Sequence, residues 1–554
     1  MDVRELTIEV RGMTCDHCEH FVARALRSVP GIHDVLEVSH PEARARVTAG
    51  PEATADRIEQ AVAEAGYRAR VHDPAPVAAG PTVRASGDGA FDLVVVGGGS
   101  GGFAGAIKAA ELGARVAIVE GGTLGGTCVN VGCVPSKTLI RAAEAQWRRA
   151  HHEFQGISTA DGRPDWPAVR AEKDRLVAEL REAKYWNVLR SYSAITLIQE
   201  RAVLTPGNTI RLASGRTLKA GKILVTTGAS PWAPPIPGLA EAGYLDNESA
   251  MALEQLPASL IVIGGSAVGL ELAQLFSRLG VRVTVLEALP RLVPAEDPDI
   301  GDALAEHLGQ EGLDVQVGVQ IDRVSRDSNG YEVSLRTGAA ARTIRAEQLL
   351  VATGRRANTR GLGLDAAGVT LGNKGEIIVS DWLQTTNPDV YAAGDVIGDP
   401  MFVYVAAYGG ALAAENALSS NQRRYDLTAL PKVTFTDPAV ASVGVTEGQA
   451  RAQGVQALVA KLPLAHVPRS LAARDSRGFV KLVADEASRR IIGAHLLAAE
   501  AGEMITESAL AIKLGLTIED LASTFHPYLT LSEGIKLAAQ TFTRDVAKLS
   551  CCAA

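Results

Sequence analysis

The feature that most restricts the fold is a duplication. Phe91 to Val96 is a run of buried-strand type, and Gly97, Gly99 and Gly102 follow it directly as G-x-G-x-x-G. Leu260 to Ile263 is a second such run, followed by Gly264, Ser266 and Gly269, a slightly altered copy. A strand that breaks into a glycine loop and then a helix lets the backbone turn tightly and approach a pyrophosphate at the helix N-terminus. Each unit has a following strand, Ala114 to Val119 and Val281 to Leu286, that ends in an acid, Glu120 and Glu287. A carboxylate there can bond the ribose hydroxyls of an adenosine. Two dinucleotides are implied, and FAD plus a nicotinamide donor is the economical assignment. Glu287 favours a free 2′-hydroxyl and hence NADH. Arg282 and Arg291 are close in sequence, but sequence does not orient them.

Around these units the chain of 554 residues divides into several parts. Residues 1–72 read as βαββαβ, the ferredoxin-like order, with a loop carrying Cys15 and Cys18 after the first strand. Residues 73–90 are rich in Pro, Gly and Ala and read as a flexible tether. Residues 91–240 carry the first dinucleotide unit, 241–358 the second, and 359–428 return to the first. Residues 429–554 read as an α+β domain of short strands mixed with helices, ending in a tail with Cys551 and Cys552. The fold class is α/β: two doubly wound nucleotide-binding domains, an α+β C-terminal domain and a separate N-terminal module. A net charge of −8 gives no electrostatic case for nucleic acid or an anionic membrane surface. The N-terminus lacks a basic head and long apolar run, and no apolar stretch approaches 18 residues. A cytoplasmic protein is expected.

The six cysteines fall into three close pairs, Cys15/Cys18, Cys128/Cys133 and Cys551/Cys552. Six is too few for a disulfide scaffold, so close pairing suggests metal or redox chemistry. The middle pair lies in Cys128-Val129-Asn130-Val131-Gly132-Cys133-Val134-Pro135-Ser136-Lys137. This run resembles the active-site segment of the pyridine nucleotide–disulfide oxidoreductases, and the resemblance extends over residues 91 to about 548. It implies that Cys133 lies against the flavin, that Cys128 exchanges with substrate, and that Lys137 approaches the flavin paired with Glu271. Thr386 to Asp395 resembles the family's second flavin motif, which implies that Asp395 bonds the ribityl chain. By the same resemblance Gly102, Gly122, Thr127, Ala202 and Val403 line the FAD site. A homodimer with active sites at the subunit interface is implied, through a C-terminal dimerisation domain.

One departure decides among the family's members. Disulfide-reducing members carry His-Pro-Thr-x-x-Glu near the C-terminus, and that His serves as acid and base for a thiol. Counting back from Glu533 puts Tyr528 at the His position, with His526 displaced by two residues. A phenol with a reference pKa of about 10 is a poor base at neutral pH. The segment Gly12-Met13-Thr14-Cys15-Asp16-His17-Cys18 resembles the heavy-metal-associated domain, whose two thiolates suit a soft cation. A zinc site completed by His17 or His20 is the weaker alternative, because no second C-x-x-C exists.

Tyr528, the three cysteine pairs, and Tyr185 in Ala183-Lys184-Tyr185 together resemble the mercuric reductases. That resemblance implies Hg(II)–thiol complexes as substrate, relayed from Cys15/Cys18 or Cys551/Cys552 to Cys128/Cys133. It also implies NADPH as the usual donor, against the reading of Glu287. A dihydrolipoamide-dehydrogenase-like disulfide reductase, or a non-catalytic soft-metal binder, are the alternatives.

Overall fold

The computed structural model describes residues 4–11, 13, 16–40, 43–50, 52–72, 90–160 and 162–546. The tether read at 73–90 lies almost wholly outside these, as do Cys15, Cys551 and Cys552. Two compact units result, Met1–Ala85 and Ser86–Ala554, and each is described by itself.

In the N-terminal unit alternating apolar residues give one buried face per strand. Leu6, Ile8 and Val10 of the strand Arg4–Arg11 are buried, as are Ala45, Val47 and Ala49 of Arg44–Ala49. The helices Asp16–Arg27 and Ala55–Glu64 cover the sheet with Val22, Leu26, Ile58 and Val62. The sheet order, in which Arg4–Arg11 lies between Arg44–Ala49 and Arg68–His72, is that of the ferredoxin-like fold. One local reading changes. Cys18 stands in the first turn of the helix Asp16–Arg27, not in a loop. An acid at the helix start and Arg24 and Arg27 at its end both favour that longer helix.

The large unit is built on three principal sheets. The first runs Ile195–Ile198, Val116–Val119, Ala90–Val96, Thr217–Val225, Thr209–Leu212, Ala202–Thr205. Its central strands are parallel, and Val390–Ala392 joins Thr217–Val225 in parallel, so the chain returns here after the second unit. The second sheet is wholly parallel, in the order Asp314–Gln316, Arg282–Leu286, Ser259–Ile263, Gln348–Val351. Such strands are buried on both faces, which explains the unbroken apolar runs: every residue of Ser259–Ile263 is buried. A three-stranded antiparallel meander, Val319–Asp327, Gly330–Thr337 and Ala340–Ala346, is attached to it in sequence.

The C-terminal sheet has five antiparallel strands covered by the helices Ala501–Leu514 and Glu533–Gln540. Its strands are longer than the sequence suggested; Phe479–Asp485 and Ile491–Ala498 have seven and eight residues. They are buried almost throughout, so they lack the alternation by which a strand is recognised.

Candidate active site

Both glycine loops are forced by sterics. Gly97 has φ 109°, and a Cβ there would lie 2.5 Å from the Thr226 carbonyl oxygen. A Cβ on Gly102 would lie 1.9 Å from the Gly97 carbonyl oxygen. The second unit repeats this: Gly264 has φ 115°, and a Cβ on Gly269 would lie 2.0 Å from the Gly264 oxygen. Each loop opens a helix of twelve residues, Ser100–Glu111 and Ala267–Arg278, with Gly99 and Ser266 as N-caps that offer no side-chain hydrogen bond to it. The two cradles present helix N-termini without a capping side chain, which fits phosphate groups.

The acids hold these loops. Glu120 accepts the Gly98 N–H at 2.6 Å on one oxygen and the Gly122 N–H at 2.6 Å on the other. Glu287 accepts the Gly265 and Leu289 N–H groups at 2.7 and 2.8 Å. A carboxylate oxygen has more than one lone pair, so both acids keep acceptor capacity for ribose hydroxyls. Ala202 is buried beside this edge, and its neighbour Arg201 lies close to Gly121.

The cysteine segment is fastened onto the first loop. The Gly125 N–H bonds the Gly98 oxygen at 3.0 Å, and a Cβ on Gly126 would lie 2.6 Å from the Gly99 Cα. Cys128 and Thr127 follow on the short helix Gly126–Val131, and Cys133 is the first residue of the helix Cys133–Ala150. Asn130 closes the turn by donating to the Leu124 and Gly126 carbonyls. The two cysteines stand as thiols, each partly buried. Cys128 donates a hydrogen bond to Cys133, which with the Lys137 ammonium pushes Cys133 down to about 7. The same hydrogen bond, with burial, pushes Cys128 up. Above about pH 7 the pair keeps one proton, and the thiolate lies on Cys133 at a helix N-terminus.

Lys137 lies one turn further along that helix and donates to Glu271 at 2.6 Å. Glu271, on the helix Ala267–Arg278 of the second unit, also accepts the Phe435 N–H at 2.9 Å. Lys137 sits 4.6 Å from the centre of the Phe435 ring. One buried carboxylate thus ties the cysteine helix, the second unit and the C-terminal domain together.

Tyr185 lies in a π-helical turn, Glu182–Trp186, rather than in a regular helix. Such turns often mark functional positions. Its ring packs on Phe103 at 4.8 Å, and its hydroxyl is 3.4 Å from Ser100 Oγ. The ring also lies against Gly125 at the start of the cysteine segment, and burial raises its pKa, with the charge of Cys128 and Cys133 adding to this. Tyr404 was not singled out from sequence. It stands in the first turn of the helix Val403–Ser419, stacks on Phe402 and donates to the Pro431 carbonyl at 2.6 Å. Burial, then the charge on Cys133, pushes it up to about 12. Its adjacency to Val403 was the available signal. Asp395 opens a short helical turn, and burial raises its pKa. Arg355 Nε, 4.0 Å from Asp395, is buried and has no hydrogen-bond partner among the described residues. A buried cationic donor left unsatisfied beside Asp395 also fits an anionic or polar cofactor group there.

The C-terminal segment answers the question about a base. His526 engages Glu507 at 2.7 Å through Nε2 and the Thr524 carbonyl at 3.1 Å through Nδ1. The Glu507 hydrogen bond raises its pKa, and its side chain is 4% exposed. Both ring nitrogens are therefore engaged within the chain, which leaves neither directed at a substrate thiol. Tyr528 is 54% exposed beside Leu529, which has φ 62°, and Phe525 is 97% exposed. Glu533 Oε2 is buried with no hydrogen-bond partner among the described residues.

Comparison with known proteins adds the following. Residues 91–410 match the family model "Pyridine nucleotide-disulphide oxidoreductase", and residues 430–539 match its dimerisation domain. Residues 7–68 match the heavy-metal-associated domain. A mercuric reductase of Staphylococcus aureus is 42% identical over 549 residues, 99% of this chain and 98% of that protein. One from Streptomyces lividans is 47% identical over 468 residues, 84% of this chain and 98% of that protein. Among solved structures, LpdA from Mycobacterium tuberculosis superposes with TM-score 0.72 at 31% identity, covering 82% of this chain and all of that one. A Cu(II) complex of an HOCl-induced flavoprotein disulfide reductase from Escherichia coli gives TM-score 0.71 at 30% identity, covering 80% and 98%. The chain belongs to the pyridine nucleotide–disulphide oxidoreductases and, within them, to the mercuric reductase family.

Proposed function

We propose that the protein reduces Hg(II), carried as a thiol complex, to elemental mercury. The observation that carries this reading is a pair of free cysteines beside Lys137, together with a C-terminal segment that offers no free histidine base. Tyr528 occupies the expected His position, and His526 is locked on Glu507. Disulfide reduction needs a group to take and return a thiol proton. A soft dication needs only two thiolates.

Gly97, Gly99, Gly102, Glu120, Gly122, Thr127, Ala202, Asp395 and Val403 hold FAD in this reading. Gly264, Ser266, Gly269 and Glu287 hold the nicotinamide dinucleotide. FAD, when bound, supplies two-electron transfer between a nicotinamide and the sulfur pair. Overall, Hg(II) gains two electrons, NAD(P)H becomes NAD(P)⁺ and releases one proton, and the carrier thiolates leave. The chain's own residues capture and hold the metal. Cys133 as thiolate and Cys128 as the proton-sharing partner exchange stepwise with the incoming thiols. Lys137, fixed by Glu271, stabilises the thiolate. Tyr185 and Tyr528 shape and bond the metal site rather than abstract a proton.

Cys15/Cys18 and Cys551/Cys552 act as delivery pairs, the tail pair serving the partner subunit of a homodimer. Thiolate exchange suits such a relay, because a two-thiolate site releases mercury to another thiolate more readily than to water. The division at 72, 90, 240, 358 and 428 separates capture module, tether, the two dinucleotide units and the dimerisation domain. We place the enzyme in the cytoplasm, where thiols stay reduced. No helix among the described residues is long and apolar enough to cross a membrane.

The test is mercury-dependent NAD(P)H oxidation by the FAD-loaded protein with thiol in excess. Turnover with mercury supports the reading. A protein that ignores mercury but reduces lipoamide or glutathione disulfide overturns it.

A further inference from the structure

The second dinucleotide unit carries a choice of donor that the family resemblance alone would set the other way. Glu287 is 8% exposed at the end of the strand Arg282–Leu286. The Gly265 and Leu289 N–H groups fix both of its oxygens. Its own N–H is tied to the Gln316 carbonyl at 2.9 Å. The loop behind it is equally fixed. Val293, a β-branched residue at φ 41°, donates to the Gly265 carbonyl at 2.8 Å. A Cβ on Gly265 would lie 2.7 Å from the Leu292 side chain. Glu287 therefore has little freedom to swing away from an incoming ribose.

A phosphate on the 2′-oxygen would need a cation to outweigh that carboxylate. Of the arginines near this edge, two have partners and one is distant. Arg291 donates its Nε to both oxygens of Asp302, at 2.9 and 3.2 Å. Arg282 begins the strand whose end Glu287 follows, roughly 16 Å away at the usual rise per residue. Arg342 donates to the Gln316 side chain. What remains at the ribose edge is an acceptor-only group, which suits two hydroxyls and repels a phosphate.

We propose that NADH, rather than NADPH, is the electron donor of this chain. Glu287 sets the choice, and Asp302 reinforces it by holding Arg291 away. The inference rests on reading the second unit as the nicotinamide site, and does not depend on mercury as substrate.

The test is anaerobic stopped-flow reduction of the FAD holoenzyme, followed by loss of oxidised-flavin absorbance, with calorimetric titration of NAD⁺ and NADP⁺. Neither measurement contains mercury. NADH should reduce the flavin at least about tenfold more efficiently than NADPH, and NAD⁺ should bind more tightly by a similar factor. Glu287→Gln should narrow both ratios severalfold. Asp302→Ala, on an exposed helix face, should raise efficiency with NADPH by freeing Arg291. Parity, or preference for NADPH, in the unaltered enzyme would overturn the inference while leaving the nicotinamide site intact. Reduction by neither dinucleotide would overturn both the inference and the assignment of the second unit.

Discussion

The two dinucleotide units grip phosphate in the same way but are covered differently. In both, the first glycine has φ above 100°, the last glycine abuts the carbonyl of the first, and an acid 22 residues beyond Gly98 or Gly265 accepts that glycine's N–H. The first unit is closed by chain that is distant in sequence. The helix Val403–Ser419 lies on Ser100–Glu111 so tightly that a Cβ on Gly410 would be 1.9 Å from the Gly101 carbonyl oxygen. Gly125 and Gly126 cover the loop itself. The start of the second unit's helix is open by contrast, with Val268 42% exposed. The lesson is that one grip serves two kinetic roles. A unit sealed by two further segments suits a resident cofactor, and an open one suits a co-substrate that enters and leaves each turnover.

The sharpest way to break that comparison is to damage both grips alike. Gly102→Ala puts a methyl against the Gly97 oxygen and should yield protein without flavin absorbance and without turnover. Gly269→Ala makes the same clash with Gly264 but should leave the protein yellow. Its flavin should still bleach with dithionite, while reduction by nicotinamide falls by about a hundredfold or more, the scale expected when a reacting pair is misplaced. Equal flavin loss in the two variants would mean that the units do not divide the roles as described.

A smaller effect tests the cover. Gly410→Ala should lower the thermal transition through overpacking worth roughly 1–3 kcal/mol, and should speed flavin release, followed by fluorescence. Val268→Ala should leave both unchanged and alter only the KM for nicotinamide. If Gly410→Ala keeps its flavin as firmly as the unaltered protein, the helix Val403–Ser419 is not what retains it.

What was legible in the sequence follows the same division. Glycine cradles and their acids are fixed by local backbone sterics, so Gly97, Gly102, Gly264, Gly269, Glu120 and Glu287 could be located without a structure. Cys128 and Cys133 were legible because their separation and residue type leave few alternatives. The surroundings were not. A π-helical turn at Glu182–Trp186 differs from an α-helix by its hydrogen-bond register and has no composition of its own. Tyr404, Phe402 and Phe435 are ordinary aromatics until the fold brings distant segments together. The bond from the Phe435 N–H to Glu271 joins residues 164 apart and leaves no local signal. Arg291 could be orientated only once Asp302, a helix away, was seen to hold it. The two-residue displacement of His526 was legible, but its engagement by Glu507, 19 residues away, was not.

The finest test concerns the place where the two units meet, because Cys133 hangs from the first while its electrostatics come partly from the second. The pair's shared proton sets the Cys133 thiolate to form as pH rises through about 7. Alkylation of the reduced enzyme by iodoacetamide should therefore accelerate across that point and level off above it, since the thiolate is the nucleophile. Lys137 favours the anion and Glu271 opposes it. Lys137→Met should move the midpoint up and Glu271→Gln should move it down, each by roughly a pH unit or less given the partial exposure of Lys137. Opposite shifts from two residues that touch one another would distinguish a field acting on Cys133 from simple loosening of the site, which would move both midpoints toward the ordinary thiol value. If Glu271→Gln shifts the midpoint up as Lys137→Met does, the carboxylate acts by positioning the lysine, and the second unit reaches the thiolate only through that hydrogen bond.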